Sequence, residues 1–223
     1  MVTPQQTTLK DHVYHQVIEM ICNGQIKPGE IITERQMITH FAISKSPVRE
    51  ALIQLCHDNV LHSIPRCGYQ VVHISVKNIL DLTELRLHIE LGSLSKLITV
   101  LTPEVVDRLD EINRLRDIPP QEKDVWSAWQ NNEQFHLGLV AGTGNTYALE
   151  ALERALSVCT RAYAQLFFSR RESVIYPRER THAHERIVTA LTSRDLPLAQ
   201  KLLREDILCM QTELLSSSAP IAQ

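Results

Sequence analysis

The sequence predicts a mainly α protein: a first third of short helices closed by a small β-hairpin, then an antiparallel all-α bundle of about six helices. Three observations predict it. Apolar residues recur at helical spacing over most of the chain, strand-like alternation is confined to the stretch around 61–72, and capping or breaking residues separate the helical segments. At 223 residues and 43% apolar, the chain can bury one large core or two modest ones.

The first helix runs from about Thr8 to Asn23 on Val13, Val17, Ile18 and Ile21, and Gly24 ends it. Pro28-Gly29 marks a turn. Thr33-Glu34-Arg35-Gln36 then places a Thr three residues before a Gln, a capping-box start for a second helix carrying Met37, Ile38 and Phe41. A tight turn at Ala42-Ile43 leads to Ser44-Lys45-Ser46-Pro47, where either serine can cap a third helix and Pro47 fits the first turn. Its apolar side is Val48, Ala51, Leu52 and Leu55. Two short helices joined by a tight turn form a helix-turn-helix, and the strand, turn and strand at 61–64, 65–68 and 69–72 supply a wing.

From Ser75 onward only helices are read. Leu80, Leu87, Leu91, Leu94 and Ile98 give the first its stripe, and Thr102-Pro103-Glu104 opens the next, through Leu115. Pro119-Pro120 breaks it. Further helices read from about Gln121 to Ala141, Thr146 to Phe168, Arg178 to Ser193 and Leu196 to Leu215, with a frayed tail from Ser216. The predicted domains are therefore 1–75, 76–215 and the tail 216–223.

Composition excludes several classes. No run approaches the roughly 20 apolar residues of a membrane helix, and the start has no hydrophobic signal, so a cytoplasmic protein is expected. The five cysteines lie far apart with no C-x-x-C pair, which speaks against a zinc knuckle or disulfide framework. Seven glycines leave little for a phosphate-cradling loop, and Gly142-Thr143-Gly144-Asn145 reads as a helix stop and turn. Net charge is −3, and residues 1–75 hold six Lys/Arg against six Asp/Glu, so nucleic-acid binding must rest on local residues.

Those residues are specific. The run from Lys27-Pro28-Gly29 through Thr33-Glu34, Phe41 and Ser44-Lys45-Ser46-Pro47-Val48-Arg49-Glu50-Ala51-Leu52 to Pro65-Arg66-Cys67-Gly68 closely resembles the winged helix of GntR-family bacterial transcription regulators. Departures are mild: Lys45 stands where Arg is usual, Ile38 where a small residue is, and Ala42 where Gly is. A recognition helix inserts its amino-terminal end in the major groove, and here that end carries Ser44, Lys45, Ser46 and Arg49. The resemblance adds Arg35 and Arg49 as base or backbone contacts and Arg66 with Gly68 as a wing tip near the minor groove. Glu50 is expected to be structural, pairing with a neighbouring cation.

In the second part, Asn132 and His136 share a helix face at a spacing that suits two ligands of one metal. His184 begins the periodic part of a later helix and Asp206 lies 22 residues on, across the Arg194-Asp195 turn, so both can converge on one point. This half resembles the effector-binding FCD domain of the FadR subgroup through Arg86-x-x-x-Glu90, Asn132-x-x-x-His136, Gly144-Asn145, His184-x-x-Ile187 and Asp195-x-x-x-Ala199. The resemblance implies metal ligands at Asn132, His136, His184 and Asp206, where the family has an Asp and three His. The carboxylate count is thus kept in a new arrangement. Zinc, manganese and nickel all suit mixed N and O ligands, and the alternative is a pair of hydrogen-bonded pocket histidines with no ion. His182 is expected to be exposed. Arg86 is read either as the partner of a small carboxylate effector or as an i, i+4 ion pair with Glu90.

The function expected is a homodimeric, metabolite-responsive regulator on a palindromic operator, because one winged helix buries little surface and specific sites engage two half-sites. The rival is a metal-dependent enzyme in which His136, His184 and Asp206 activate water.

Overall fold

The chain divides between Ile74 and Ser75 into two units, and the computed structural model describes residues 8–116, 125–169 and 182–216. In the first unit a capping box opens α1 (Leu9–Cys22): Thr8 Oγ1 accepts from the Asp11 amide and the Asp11 carboxylate accepts from the Thr8 amide. Helical spacing turns Val13, Val17 and Ile21 inward. The helix ends at Asn23, and Gly24 follows at φ 70°. A second box, Thr33 with Gln36, opens α2 (Glu34–Phe41), which buries Met37 and leans Ile38 and Phe41 on the same core.

The turn between α2 and α3 (Lys45–His57) is made by Ala42 in the left-handed region, at φ 53° and ψ 33°. Val48, Ala51, Leu52 and Leu55 of α3 are fully buried, as their spacing predicts. The expected serine cap is not formed by Ser44, whose side chain makes no capping bond. Ser46 instead donates its hydroxyl to Glu50 Oε1 at 2.8 Å, so Glu50 takes a hydroxyl where a cation was expected. The missing cap forfeits about 1 kcal/mol, while each buried Val or Leu contributes about 1.5–3 kcal/mol, so packing outweighs the missing cap.

The wing strands are β2 (Leu61–Ile64) and β3 (Gly68–Val71), antiparallel with Leu61 opposite Val71 and Ile64 opposite Gly68. A third strand, β1 (Ile31–Ile32), pairs with β3 on its other side and gives the order β1-β3-β2. Two residues are too few for a strand period to register, so sequence reading found a hairpin where the sheet has three strands.

The second unit comprises, among the described residues, α4 (Val76–Val100), α5 (Pro103–Arg116), α6 (Val125–Ala141), α7 (Thr146–Ser169), α8 (Ala183–Thr192) and α9 (Leu196–Ser216). Ser75 and Asn78 box the start of α4. The core joins Leu94, Leu97, Leu109, Phe135, Leu139, Ile187, Leu191 and Leu203. Of the predicted α4 stripe, Leu94 and Ile98 lie in the core and Leu87 and Leu91 pack against it, whereas Leu80 is 41% exposed; the buried face also includes Ile79, Thr83, Arg86, Glu90, Ser93 and Leu97. Arg86 and Glu90 can share that buried face because they pair with one another there. The Gly142–Gly144 segment stops α6 with Gly144 at φ 69°, and Arg194 at φ 59° turns α8 into α9 and donates to the Ile98 carbonyl. Pro119-Pro120, the starts predicted at Gln121 and Arg178, and the tail beyond Ser216 lie outside the described residues. Among the described residues no helix is long and apolar enough to cross a membrane.

Candidate functional site

Two sets of candidate side chains emerge, one per unit. In the first, Arg35, Ser44, Lys45, Ser46, Arg49 and Arg66 are all exposed, and Gly68 is half-buried at the start of β3. Their placement follows from the fold. Burial of Val48, Ala51 and Leu52 turns Lys45 and Arg49, one turn apart on the opposite side, to solvent at the positive end of α3. Arg49 is 60% exposed, with Nε 3.7 Å from Glu34 Oε1, and the same oxygen accepts the Tyr69 hydroxyl at 3.2 Å. Glu34 thereby connects α2, α3 and β3 beside the cationic tip. Arg66 adopts φ 66° at the hairpin turn. Gly68, at φ 132°, is required by packing: a Cβ there would lie 2.4 Å from the Ile32 carbonyl oxygen of β1.

In the second unit, His136 of α6, His184 of α8 and Asp206 of α9 are buried and offer ligand atoms within 4.8 Å of one another. His136 Nε2 lies 3.1 Å and His184 Nε2 3.8 Å from Asp206 Oδ2. Donors held at about 2.0–2.2 Å around one ion stand about 3.4 Å apart, which these two distances bracket. The 3.1 Å approach is not an aligned hydrogen bond, and His136 Nε2 and Asp206 Oδ2 are both buried without one. Two imidazoles and a carboxylate aimed at one point fit a divalent cation. Asn132 is buried on α6 one turn before His136. His182 is exposed, as expected, with Nδ1 3.1 Å from Glu185 Oε2.

Behind the cluster stands a buried ion pair. Arg86, 2% exposed, donates from Nε to Glu90 Oε1 at 2.8 Å, so the i, i+4 pairing exists. The other Glu90 oxygen is 2.5 Å from His136 Nδ1. Phe135 stacks on the His184 ring, centroids 3.8 Å apart and planes 8° from parallel. Sequence reading missed these last two contacts. The Glu90 and His136 contact joins positions 46 apart, which no local spacing encodes.

Electrostatics follow from burial set against partners. Desolvation would raise the Glu90 carboxyl, yet the Arg86 charge and His136 hold it below the usual range. Asp206 is likewise held well below its ordinary value, since His136 and His184 outweigh burial. Burial works against charge on His136, but Glu90 raises its pKa overall. Glu133, which accepts from the Thr160 hydroxyl at 3.3 Å, is pushed up by burial. The Cys159 thiol is also raised by burial.

Comparison with known proteins defines the class: an amino-terminal GntR domain of bacterial regulatory proteins spans residues 9–71, and an FCD domain spans 81–208, more than half of the chain. The chain belongs to the GntR-family transcription regulators that carry an FCD domain. An HTH-type transcriptional regulator encoded in an unstable DNA locus of Streptomyces ambofaciens is 28% identical over 207 residues, covering 91% of this chain and 83% of that one. The transcriptional repressor GlaR of Escherichia coli K12 is 26% identical, covering 84% and 87%. Among solved structures, E. coli McbR/YncC shares the fold with a TM-score of 0.82 at 19% identity, covering 96% of this chain and all of that one. The GntR match and these relatives are transcription regulators, which overturns the enzyme alternative.

Proposed function

We propose that the protein is a homodimeric, cytoplasmic regulator whose affinity for a palindromic operator is set by a small carboxylate metabolite. The observation that carries the reading is the exposed pair Lys45 and Arg49 at the amino end of α3, whose apolar face of Val48, Ala51, Leu52 and Leu55 is buried. Ser44 and Ser46 are small enough for close approach to the major groove, Arg35 on α2 meets the flanking backbone, and Arg66 with Gly68 brings the wing to the minor groove. Lys45 keeps the charge of the usual Arg without its bidentate fork, so Arg35 and Arg49 carry base or phosphate recognition.

In the second unit His136, His184 and Asp206, joined by the Asn132 carbonyl, would hold a divalent metal such as zinc, manganese or nickel. When bound, that ion supplies Lewis acidity to an anionic effector. Arg86 lends the same wall of the bundle a fixed positive charge, with its Nε engaged by Glu90. Effector binding alters operator affinity only through its different affinity for the two arrangements of the DNA-binding heads. A gel-shift titration tests the DNA reading: Arg49→Ala weakens binding to the best operator by about tenfold or more, the loss of roughly 1–3 kcal/mol expected for one specific contact. Wild-type affinity in that variant overturns the recognition-helix assignment.

A further inference from the structure

We infer that Glu90 is a positioning residue for the metal centre, acting through the His136 ring. The inference rests on the reading of His136 as a ligand. An imidazole has two nitrogens, and it binds a metal through one only when that nitrogen is unprotonated and aimed at the ion. Here Nδ1 of His136 meets Glu90 Oε2 at 2.5 Å, while Nε2 faces Asp206 Oδ2 at 3.1 Å. The Nδ1–H of His136 therefore donates to Glu90, so in the neutral ring the lone pair falls on Nε2, directed at the point between α8 and α9.

Arg86 completes the device from below. It holds the opposite carboxylate oxygen at 2.8 Å, so Glu90 cannot swing away from the ring, and both side chains are buried. The two residues are one turn apart on α4, whereas His136 is on α6 and its fellow ligands are on α8 and α9. The centre thus draws its orientation from a helix that contributes none of the three clustered donors. Outer partners of this kind typically govern metal affinity by 10–100-fold when removed.

The experiment measures uptake of Zn²⁺ and Mn²⁺ by equilibrium dialysis of the full chain, together with the His136 tautomer by long-range ¹H–¹⁵N correlation of the metal-free protein at a pH high enough for the ring to be neutral. Wild type is expected to take up one ion, His136→Ala to lose it, and Glu90→Gln to bind it about 10–100-fold more weakly with the Nδ1–H tautomer no longer dominant. Because Glu90→Gln strands the Arg86 charge, Arg86→Met/Glu90→Gln is made in parallel and is expected to show the same loss. Glu90→Asp restores part of the affinity. Wild type that takes up no more ion than His136→Ala overturns the metal reading and this inference with it. Loading of the wild type and both Glu90→Gln variants with equal affinity overturns the inference alone, as does an Nδ1–H tautomer that persists without the carboxylate.

Discussion

Ala42 bears the left-handed turn between α2 and the recognition helix without the conformational freedom of glycine. A left-handed L-residue costs about 1–2 kcal/mol, and glycine gives back part of that through its greater freedom in the unfolded chain. Ala42→Gly is therefore expected to stabilise the first unit by about 0.5–1 kcal/mol, read as a rise of a few degrees in its melting temperature. An unchanged or lower melting temperature counts against the strain. The turn itself was legible in the sequence, because two helical patterns met at Ala42-Ile43 and the resemblance marks a glycine position there. Gly68 is the opposite case. Its reading as a wing residue stands as a proposal, but the 2.4 Å approach to Ile32 is the physical reason for glycine, and that contact depends on a strand the sequence did not announce.

Between elements, Asp58 fastens α1 to α3. Its carboxylate, at the end of α3, accepts the Tyr14 hydroxyl of α1 at 2.9 Å as well as bonds from Gln54 and His57. Burial would raise this carboxyl, yet the three hydrogen bonds together hold it below the ordinary aspartate value. A depressed folded pKa stabilises the native state above the unfolded value near 4 and loses that contribution as pH falls through the folded value. Melting curves between pH 7 and pH 3 are thus expected to show a smaller acid-induced drop for Asp58→Asn than for wild type; equal drops remove Asp58 from the account. The helices themselves were legible because their caps are local: Thr8 with Asp11, Thr33 with Gln36 and Thr102-Pro103-Glu104 all lie within four residues. The inward face of α4 was not. Apolar periodicity pointed to Leu80; the Arg86 and Glu90 pair was legible as an i, i+4 spacing, but its burial against His136 of α6 was not, since that partner is absent from the α4 sequence.

At the scale of the molecule, net charge is −3 and the first 75 residues balance six cations against six anions, so attraction to DNA comes from where charges stand and not from their sum. Each cation that meets a phosphate releases condensed counterions. Lys45→Ala is expected to lower the slope of log affinity against log salt by about 0.9 across operator sequences, checked by titrations from 50 to about 200 mM salt. A slope equal to wild type removes Lys45 from the phosphate footprint. The three-stranded sheet adds a geometric consequence. Since β1 runs from the turn after α1 into the start of α2 and is laced to β3, the wing is a fixed jaw of a caliper whose other jaw is α3. The gap between the jaws is set by covalent and ladder bonds, so under the proposed DNA reading the outer contact keeps a constant phase to the inner one. DNA that slides one of them by a base pair forfeits a grip instead of finding a new one.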